Sequence, residues 1–168
     1  MSVAAKNSLA PLLLICLAAI APGCASTSGL KLLEVGGKNV PGIYSPTKVP
    51  TLTPQLRWEA FPRPADLRHL DATPARISNV SYQLRVWRAG QTPGGSVEDV
   101  VTIAGLREPQ YTISKPLEPK QTYCWTVRVW FDLEGGRRRV SQWSQRAYPR
   151  VGPVVEVTDD IAWQFKTP

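Results

Sequence analysis

The stretch Tyr123-Cys-Trp-Thr-Val-Arg-Val-Trp130 carries the strongest strand signal in the chain. Successive side chains of a β-strand point to opposite faces, and here every second residue is large and apolar. The residues that share this face are Tyr123, Trp125, Val127 and Val129. Gly135-Gly136 follows, and paired glycines suit the positive φ angles of a tight hairpin turn. The sequence therefore predicts a core-facing strand over residues 123–130 and a partner strand over residues 137–143.

Shorter candidate strands lie on both sides of this hairpin. They cover residues 55–59, 82–87, 97–103, 109–114 and 163–167. No helical periodicity separates them, and the 16 prolines and 12 glycines of this 168-residue chain suit turns between short strands. The length is enough for one domain with a real core. We therefore predict an all-β fold, a β-sandwich of about seven strands.

Short motifs with fixed spacing mark several of these strands. The motifs are Pro54-x-Leu56-x-Trp58, Tyr82-x-Leu84-x-Val86, Leu117-x-Pro119-x-x-x-Tyr123-x-Trp125-x-Val127, Ser141-x-Trp143-Ser144 and Trp163-x-Phe165-x-Thr167. Together they resemble a fibronectin type III domain of the bacterial extracellular kind over residues 45–168. The resemblance implies structural roles for five residues: Trp58, Leu117, Tyr123, Trp125 and Phe165.

The resemblance assigns specific places to two of these residues. Tyr123 would be the tyrosine-corner residue, with its hydroxyl bonding back to the loop backbone under Leu117. Trp58 would be the core tryptophan of the second strand. Residues 145–161 depart from the family pattern, because in the family the Trp-Ser element and the final aromatic strand nearly adjoin. A lid, an extra hairpin and a partner-binding loop are the roles open to this insertion.

Residues 1–23 have the pattern of an export signal. A lone Lys6 precedes a short apolar run over residues 9–20, and small residues follow. Gly23-Cys24 resembles the lipobox of bacterial lipoproteins, which implies an acylated Cys24 at the mature N-terminus and a lipid anchor. By the same resemblance, an alanine in place of aspartate after Cys24 implies sorting to the outer membrane. We predict a tether over residues 24–44 that joins this anchor to the domain.

An ordinary secretory signal is the alternative interpretation of this N-terminus. Cleavage near Ala25 or Ser26 would leave a soluble protein, and cleavage before Cys24 would permit a Cys24–Cys124 disulfide. Acylation of Cys24 and that disulfide exclude each other. Alternation places Cys124 on the face away from the core. A surface thiol is unusual in an oxidising compartment, so we predict that the tether or the insertion buries it.

The residue types in the chain do not predict catalysis. The single histidine, His69, stands beside Asp71 in a proline-rich stretch where no motif places a nucleophile. No histidine or cysteine cluster has the spacing of metal ligands, and no glycine-rich loop leads into a helix. The sequence therefore predicts a protein that is not an enzyme, with no cofactor and no metal.

The strand faces opposite the core combine arginine and tryptophan. Alternation places six residues on this outer face: Arg85, Trp87, Arg128, Trp130, Arg139 and Trp143. The arrangement is similar to the stacked tryptophan and arginine ladder of cytokine-receptor fibronectin domains. One interpretation is a structural skin over the sheet, which we favour, with each exposed pair contributing about 0.5–1 kcal/mol. The other is a docking platform for an anionic glycan or a partner protein, because exposed tryptophan and arginine dominate binding hot spots.

The charge pattern and the predicted cellular location limit the classes of partner and function that the sequence supports. The net charge is +7, which favours acidic partners, but the basic residues are dispersed and we predict no nucleic-acid partner. The predicted function is that of a non-catalytic lipoprotein, anchored in the outer membrane facing the periplasm or the cell surface, which acts as a binding or scaffolding module in the bacterial cell envelope. Its predicted partner is another envelope protein or an anionic glycan. Two alternatives stay open: a carbohydrate-binding module for cell-wall or surface polysaccharide, and a secreted hydrolase with an unrecognised site.

Overall fold

A computed structural model of the chain describes residues 29–40, 45–90, 99–145 and 162–168. The strands in these residues are β1 Leu32–Val35, β2 Lys38–Asn39, β3 Thr47–Lys48, β4 Gln55–Trp58, β5 Ile77–Arg88, β6 Asp99–Leu106, β7 Gln110–Thr112, β8 Thr122–Leu133, β9 Arg137–Val140 and β10 Trp163–Lys166. A short helix, α1 (Pro64–Leu70), and a 3₁₀ turn at Pro74–Arg76 connect β4 to β5. The described chain is mostly β and forms two sheets, as predicted. The predicted insertion lies outside the described residues from position 146 to 161.

The smaller sheet has the strand order β2-β1-β4-β7, and all of its pairs are antiparallel. The larger sheet has the order β3-β10-β8-β5-β6, with β9 beside the second half of β8. β8 is central and pairs with β5 from Ile77↔Leu133 to Arg88↔Tyr123. The predicted glycine turn joins β8 to β9, and Gly135 and Gly136 have φ angles of 94° and 77°. This positive φ confirms why glycine is needed there.

The core lies between the two sheets and contains the alternating face of β8. Tyr123, Trp125, Val127 and Val129 are at most 2% exposed and belong to one apolar cluster with Trp58. The Trp58 ring meets Tyr82 edge to face at a centroid distance of 5.5 Å, a favourable aromatic geometry. Each fully buried large side chain of this kind contributes about 1.5–3 kcal/mol relative to exposure. The predicted inward face of the strand is therefore correct.

The N-terminal part of the described chain belongs to the sandwich. Leu30, Leu32 and Val35 are buried in the main core. A Cβ on Gly29 would lie 2.4 Å from the backbone oxygen of Trp143, so only glycine fits at this contact. The predicted tether over 24–44 is therefore wrong for residues 29–40, and the domain begins before residue 45. Residues 24–28 and 41–44 lie outside the described residues.

Helix α1 was not expected from the sequence. Pro64 occupies its first position, and the Asp66 carboxylate accepts from the backbone N–H of Arg63 at 2.9 Å, which caps the helix start. Asp66 is 2% exposed and also pairs with the Arg63 guanidinium at 2.7 Å. The hydrogen bonds to Asp66, more than any other contact, raise the pKa of Arg63. A second guanidinium nitrogen donates to the backbone oxygen of Gly29 at 3.2 Å, which ties α1 to the N-terminal segment.

Candidate functional site

Guanidinium groups and indole rings alternate across the outer face of the larger sheet. In spatial order the six residues are Arg138, Trp130, Arg128, Trp143, Arg85 and Trp87. The successive distances from guanidinium carbon to ring centroid are 5.3, 5.1, 4.3, 5.8 and 5.7 Å. All five distances are within the range of cation–π attraction. We call this set the Arg/Trp ladder. It contains five of the six residues predicted for this surface.

Arg139 was predicted in the ladder, and that assignment is wrong. In the register of β9, Arg139 lies opposite Phe131, whose ring is in the core, and Arg138 lies opposite Asp132. Directly opposed residues of antiparallel strands share a face, so Arg138 takes the outer position beside Trp130. The prediction continued strict alternation through this strand, but the alternation is interrupted between Val140 and Trp143.

Two buried serines hold the chain at this interruption. Ser141 and Ser144 each exchange two hydrogen bonds with β8. The Ser141 hydroxyl accepts from the N–H of Val129 at 3.0 Å, and its own N–H donates to the Val129 oxygen at 2.9 Å. The Ser144 hydroxyl accepts from the N–H of Val127 at 2.8 Å, and its N–H donates to the Val127 oxygen at 2.8 Å. The two hydroxyls take the place of strand carbonyls, which lets Trp143 face outward between two arginines.

The ladder is closed at one end and open at the other. Trp87 is 1% exposed and Trp143 is 9% exposed, and both pack with Cys124 and Ala162 in a second apolar cluster. Cys124 is 0% exposed, so its predicted burial is correct, but the described residues that cluster with it belong to neither the predicted tether nor the insertion. At the other end Trp130 is half-buried and Arg138 is exposed. Among the described residues, this second end has the most exposed ladder atoms, while Arg85 and Arg128 are only partly exposed.

The two inner arginines of the ladder have different electrostatic surroundings. Arg85 makes a two-pronged ion pair with Asp99, with nitrogen-to-oxygen distances of 2.8 and 3.0 Å. Arg128 takes part in none of the ion pairs of the described residues, and its Nε donates to the Gln83 amide oxygen at 2.8 Å. Burial, and then repulsion by Arg85, lower the pKa of Arg128. Because an arginine stays protonated in proteins, Arg128 is a partly desolvated cation stabilised mainly by rings and an amide.

The residues with predicted structural roles lie in the core. Trp58, Leu117, Trp125 and Phe165 are at most 3% exposed. The backbone N–H of Glu118 donates to the Tyr123 hydroxyl at 3.0 Å, so this hydroxyl bonds to the loop just after Leu117. The bond fixes the loop that leads into β8.

A cavity of about 360 Å³ lies beside the start of β6. Its apolar lining includes Val101 and Leu117, and charged groups stand around it. Arg88 forms an ion pair with Glu118. Lys115 is exposed and belongs to none of the ion pairs of the described residues. Nothing in the sequence pointed to this cavity, because its walls come from separate strands and a loop.

The other residues considered for catalysis or metal binding lie away from the Arg/Trp ladder and the cavity. His69 is exposed in the last turn of α1 and does not line the cavity. Within the described ranges, no group of three or more histidine, cysteine, aspartate or glutamate residues could hold a metal ion. The helices of the described chain are also too short and polar to cross a membrane.

Sequence reasoning missed three polar contributors to the ladder. Gln83 lies on the same alternating face as Arg85, so the alternation alone could have indicated it. Asp99 and Arg138 depend on strand register, which the sequence does not show.

Comparison with protein-family models finds no match, and comparison with curated proteins finds no matching sequence.

Proposed function

We propose that this chain is an exported bacterial lipoprotein with a fibronectin type III-like domain that acts as a non-catalytic binding or scaffolding module in the cell envelope. An acylated Cys24 anchors it in the outer membrane, facing the periplasm or the cell surface. Its partner is another envelope protein. The proposal joins the export and lipobox pattern of residues 1–24 to a domain that occupies the described residues.

Two features of the fold support the fibronectin-like assignment. The strands β5, β8 and β9 are neighbours in one sheet, as the resemblance implies. The hydrogen bond between the Tyr123 hydroxyl and the Glu118 N–H has the form of a tyrosine corner. Fold resemblance alone does not define a function, so the binding role needs its own support.

The observation that carries the binding role is the rigidity that the Arg/Trp ladder gives the larger sheet. Its side chains contact one another, Gln83 and Asp99, so they stiffen the sheet and are not poised to react. A rigid sheet presents its edges and its open ladder end to a partner without a large loss of conformational entropy. The ladder is thus chiefly a structural skin, the interpretation that we favoured from the sequence.

The alternatives have less support from the same geometry. A carbohydrate-binding module would need tryptophan rings open for sugar stacking, but Trp87 and Trp143 are buried and Trp130 is stacked with Arg128 and Arg138. A hydrolase would need a base in a pocket, but His69 is exposed and outside the cavity. We therefore propose neither.

Mass spectrometry of the native N-terminus, with fractionation of the envelope, tests the anchoring. We expect acyl chains on Cys24, and we expect Cys24→Ser to move the chain out of the membrane fraction. An unmodified N-terminus at Ala25 or Ser26 would show that the lipoprotein assignment is wrong.

Crosslinking of the full-length protein in intact cells tests the binding role. We expect a reproducible adduct with another envelope protein, and the absence of any adduct from every surface of the domain would contradict it.

A further inference from the structure

Among the strands that the structure describes, the larger sheet has one long edge strand with no second partner. β6 pairs only with β5 among the strands of the described residues, and it is eight residues long. The other edge strands of the two sheets, β2, β3, β7 and β9, have two, two, three and four residues. Natural proteins keep edge strands short, charged or proline-bearing, because unpaired N–H and C=O groups recruit other strands. Residues 100–106 contain no charge and no proline, so β6 lacks these protections, although its pairing with β5 shifts register at two places and bulges also blunt an edge.

An exposed apolar side chain marks this same edge. Val100 is 49% exposed, and no other large hydrophobic side chain of the described residues is as open to solvent. The pairing of β6 with β5 shifts register between Val101 and Asp99, so Val100 is an extra residue at a bulge. Bulges on edges re-aim side chains and fix the register of pairing. Val100 therefore offers an apolar contact where the open backbone of β6 begins.

The cavity lies beside this edge. Val100 and Val101 of β6 line it together with Leu117 of the loop before β8 and Tyr123 of β8. A strand that paired with β6 would have alternate side chains directed toward the two sides of the larger sheet. Its inward side chains would be close enough to the cavity for one apolar group to enter it.

The charges around the edge favour an acidic partner. Asp99 is neutralised by Arg85, and Glu118 is neutralised by Arg88. Lys115 at the cavity and Arg107 beyond the end of β6 have no carboxylate partner among the described residues. Glu108 directly follows Arg107, so Lys115 is the cation near this strand that no neighbouring carboxylate of the described residues balances. The chain as a whole carries a net charge of +7, which disfavours a second copy as the occupant.

We propose that the open edge of β6 binds an extended, acidic segment of another envelope protein by strand addition. Backbone hydrogen bonds to β6 supply affinity, an apolar side chain of the segment fills the cavity, and a carboxylate of the segment pairs with Lys115. The inference rests on the proposed binding function and names the surface and the chemistry of the partner.

Site-specific photocrosslinking in the native host provides the first test. Benzoylphenylalanine replaces Val100 in the full-length chain, and matched chains carry it at Thr112 on the short edge β7 and at Arg138 on the ladder. We expect an adduct from position 100 that maps to one contiguous partner segment containing aspartate or glutamate. We expect no adduct with that segment from position 112.

Amide hydrogen exchange provides the second test, with a synthetic peptide of the crosslinked segment as the probe and the purified full-length protein as the receptor. We expect added protection in β6 and none in β7. Val100→Glu and Lys115→Glu are expected to weaken binding by about tenfold each, whereas Thr112→Glu leaves it unchanged. Both Val100 and Lys115 are solvent-exposed, so these variants are expected to fold.

The outcomes separate this inference from the proposed function. Adducts from position 138 but none from position 100 would overturn the β6 edge while the binding function stands. An adduct between two copies of this chain at position 100, or a segment without a carboxylate, would overturn the proposed partner chemistry. The absence of adducts from all three positions would overturn the binding function with it.

Discussion

The guanidinium carbon of Arg128 lies 4.3 Å from the centroid of the Trp143 ring, the shortest such distance in the Arg/Trp ladder. This contact joins β8 to the segment that follows β9. It also places the ring over a cation for which the described residues supply no carboxylate. Trp143 is therefore the central element of the ladder, and its neighbours depend on it for both packing and charge stabilisation.

Replacement of Trp143 by alanine is expected to lower the free energy of unfolding by about 3–5 kcal/mol. The ring is 9% exposed, so its loss would open a cavity over β8 and leave Arg128 and Arg85 facing each other. Urea denaturation followed by circular dichroism measures the change. Trp143→Phe keeps an aromatic face and serves as the control, with a smaller expected loss. A loss below about 1 kcal/mol for Trp143→Ala would contradict the central role of the ring.

Replacement of Ser144 by alanine is expected to cost about 1–3 kcal/mol, because the N–H of Val127 would lose its hydroxyl acceptor in a buried position. The Thr126 hydroxyl would also lose one neighbour, at 3.2 Å. Thermal and chemical denaturation measure the change. Ser78→Ala is the matched control, because Ser78 lies exposed on β5. Equal effects of the two substitutions would show that the Ser144 hydroxyl is not a structural acceptor.

Substitutions of two adjacent arginines test the register of β9. Arg138→Met is expected to destabilise the fold by about 0.5–1 kcal/mol and to alter the fluorescence of Trp130, because the cation over that ring is lost. Arg139→Met is expected to leave stability unchanged or to raise it. The Nε of Arg139 is buried, and no described residue hydrogen-bonds to it, so the substitution removes a polar group that the described residues leave unsatisfied. The reverse ranking of the two variants would restore the original assignment of Arg139 to the ladder.

The buried phenol of Tyr82 leads us to expect a loss of stability at high pH. Burial raises the pKa of its phenol above the ordinary value of 10.0, and the hydrogen bond from the Phe61 N–H only partly offsets this. Because the folded pKa is the higher one, the neutral phenol stabilises the fold fully below the unfolded pKa. That contribution is lost as the pH rises through the folded pKa. Free energies of unfolding between pH 8 and pH 11, measured in urea, are expected to fall with a steeper slope for the native chain than for Tyr82→Phe. Parallel slopes would contradict this origin.

Local alternation was sufficient for the strand faces but not for the strand register. The inward face of β8 follows from a period of two that one strand carries by itself. The predicted outward position of Arg139 assumed that alternation continues unbroken from Arg139 to Trp143. The hydrogen bonds of Ser141 and Ser144 to β8 interrupt the alternation there. Sequence periodicity cannot show where alternation breaks, because hydrogen bonds between neighbouring strands fix the position of the break.

Short elements were harder to predict than long ones. Helix α1 has seven residues, about two turns, which is too little for a helical period to stand out. β1 has four residues and follows polar and glycine-rich sequence, so it resembled a tether. Both elements depend on distant residues: Arg63 at the start of α1 donates to the backbone oxygen of Gly29, and the core holds β1 through Leu32 and Val35.

The amino-acid sequence by itself determined the β character, the two faces of the central strand and the residue types of the ladder, because these depend on the order of polar and apolar residues along one strand. Only the tertiary structure decided which arginine stacks on Trp130, which groups surround Arg128, and where an open edge meets a cavity. Those features arise where separate strands meet, and the physical reason is that register and close packing are properties of pairs of strands.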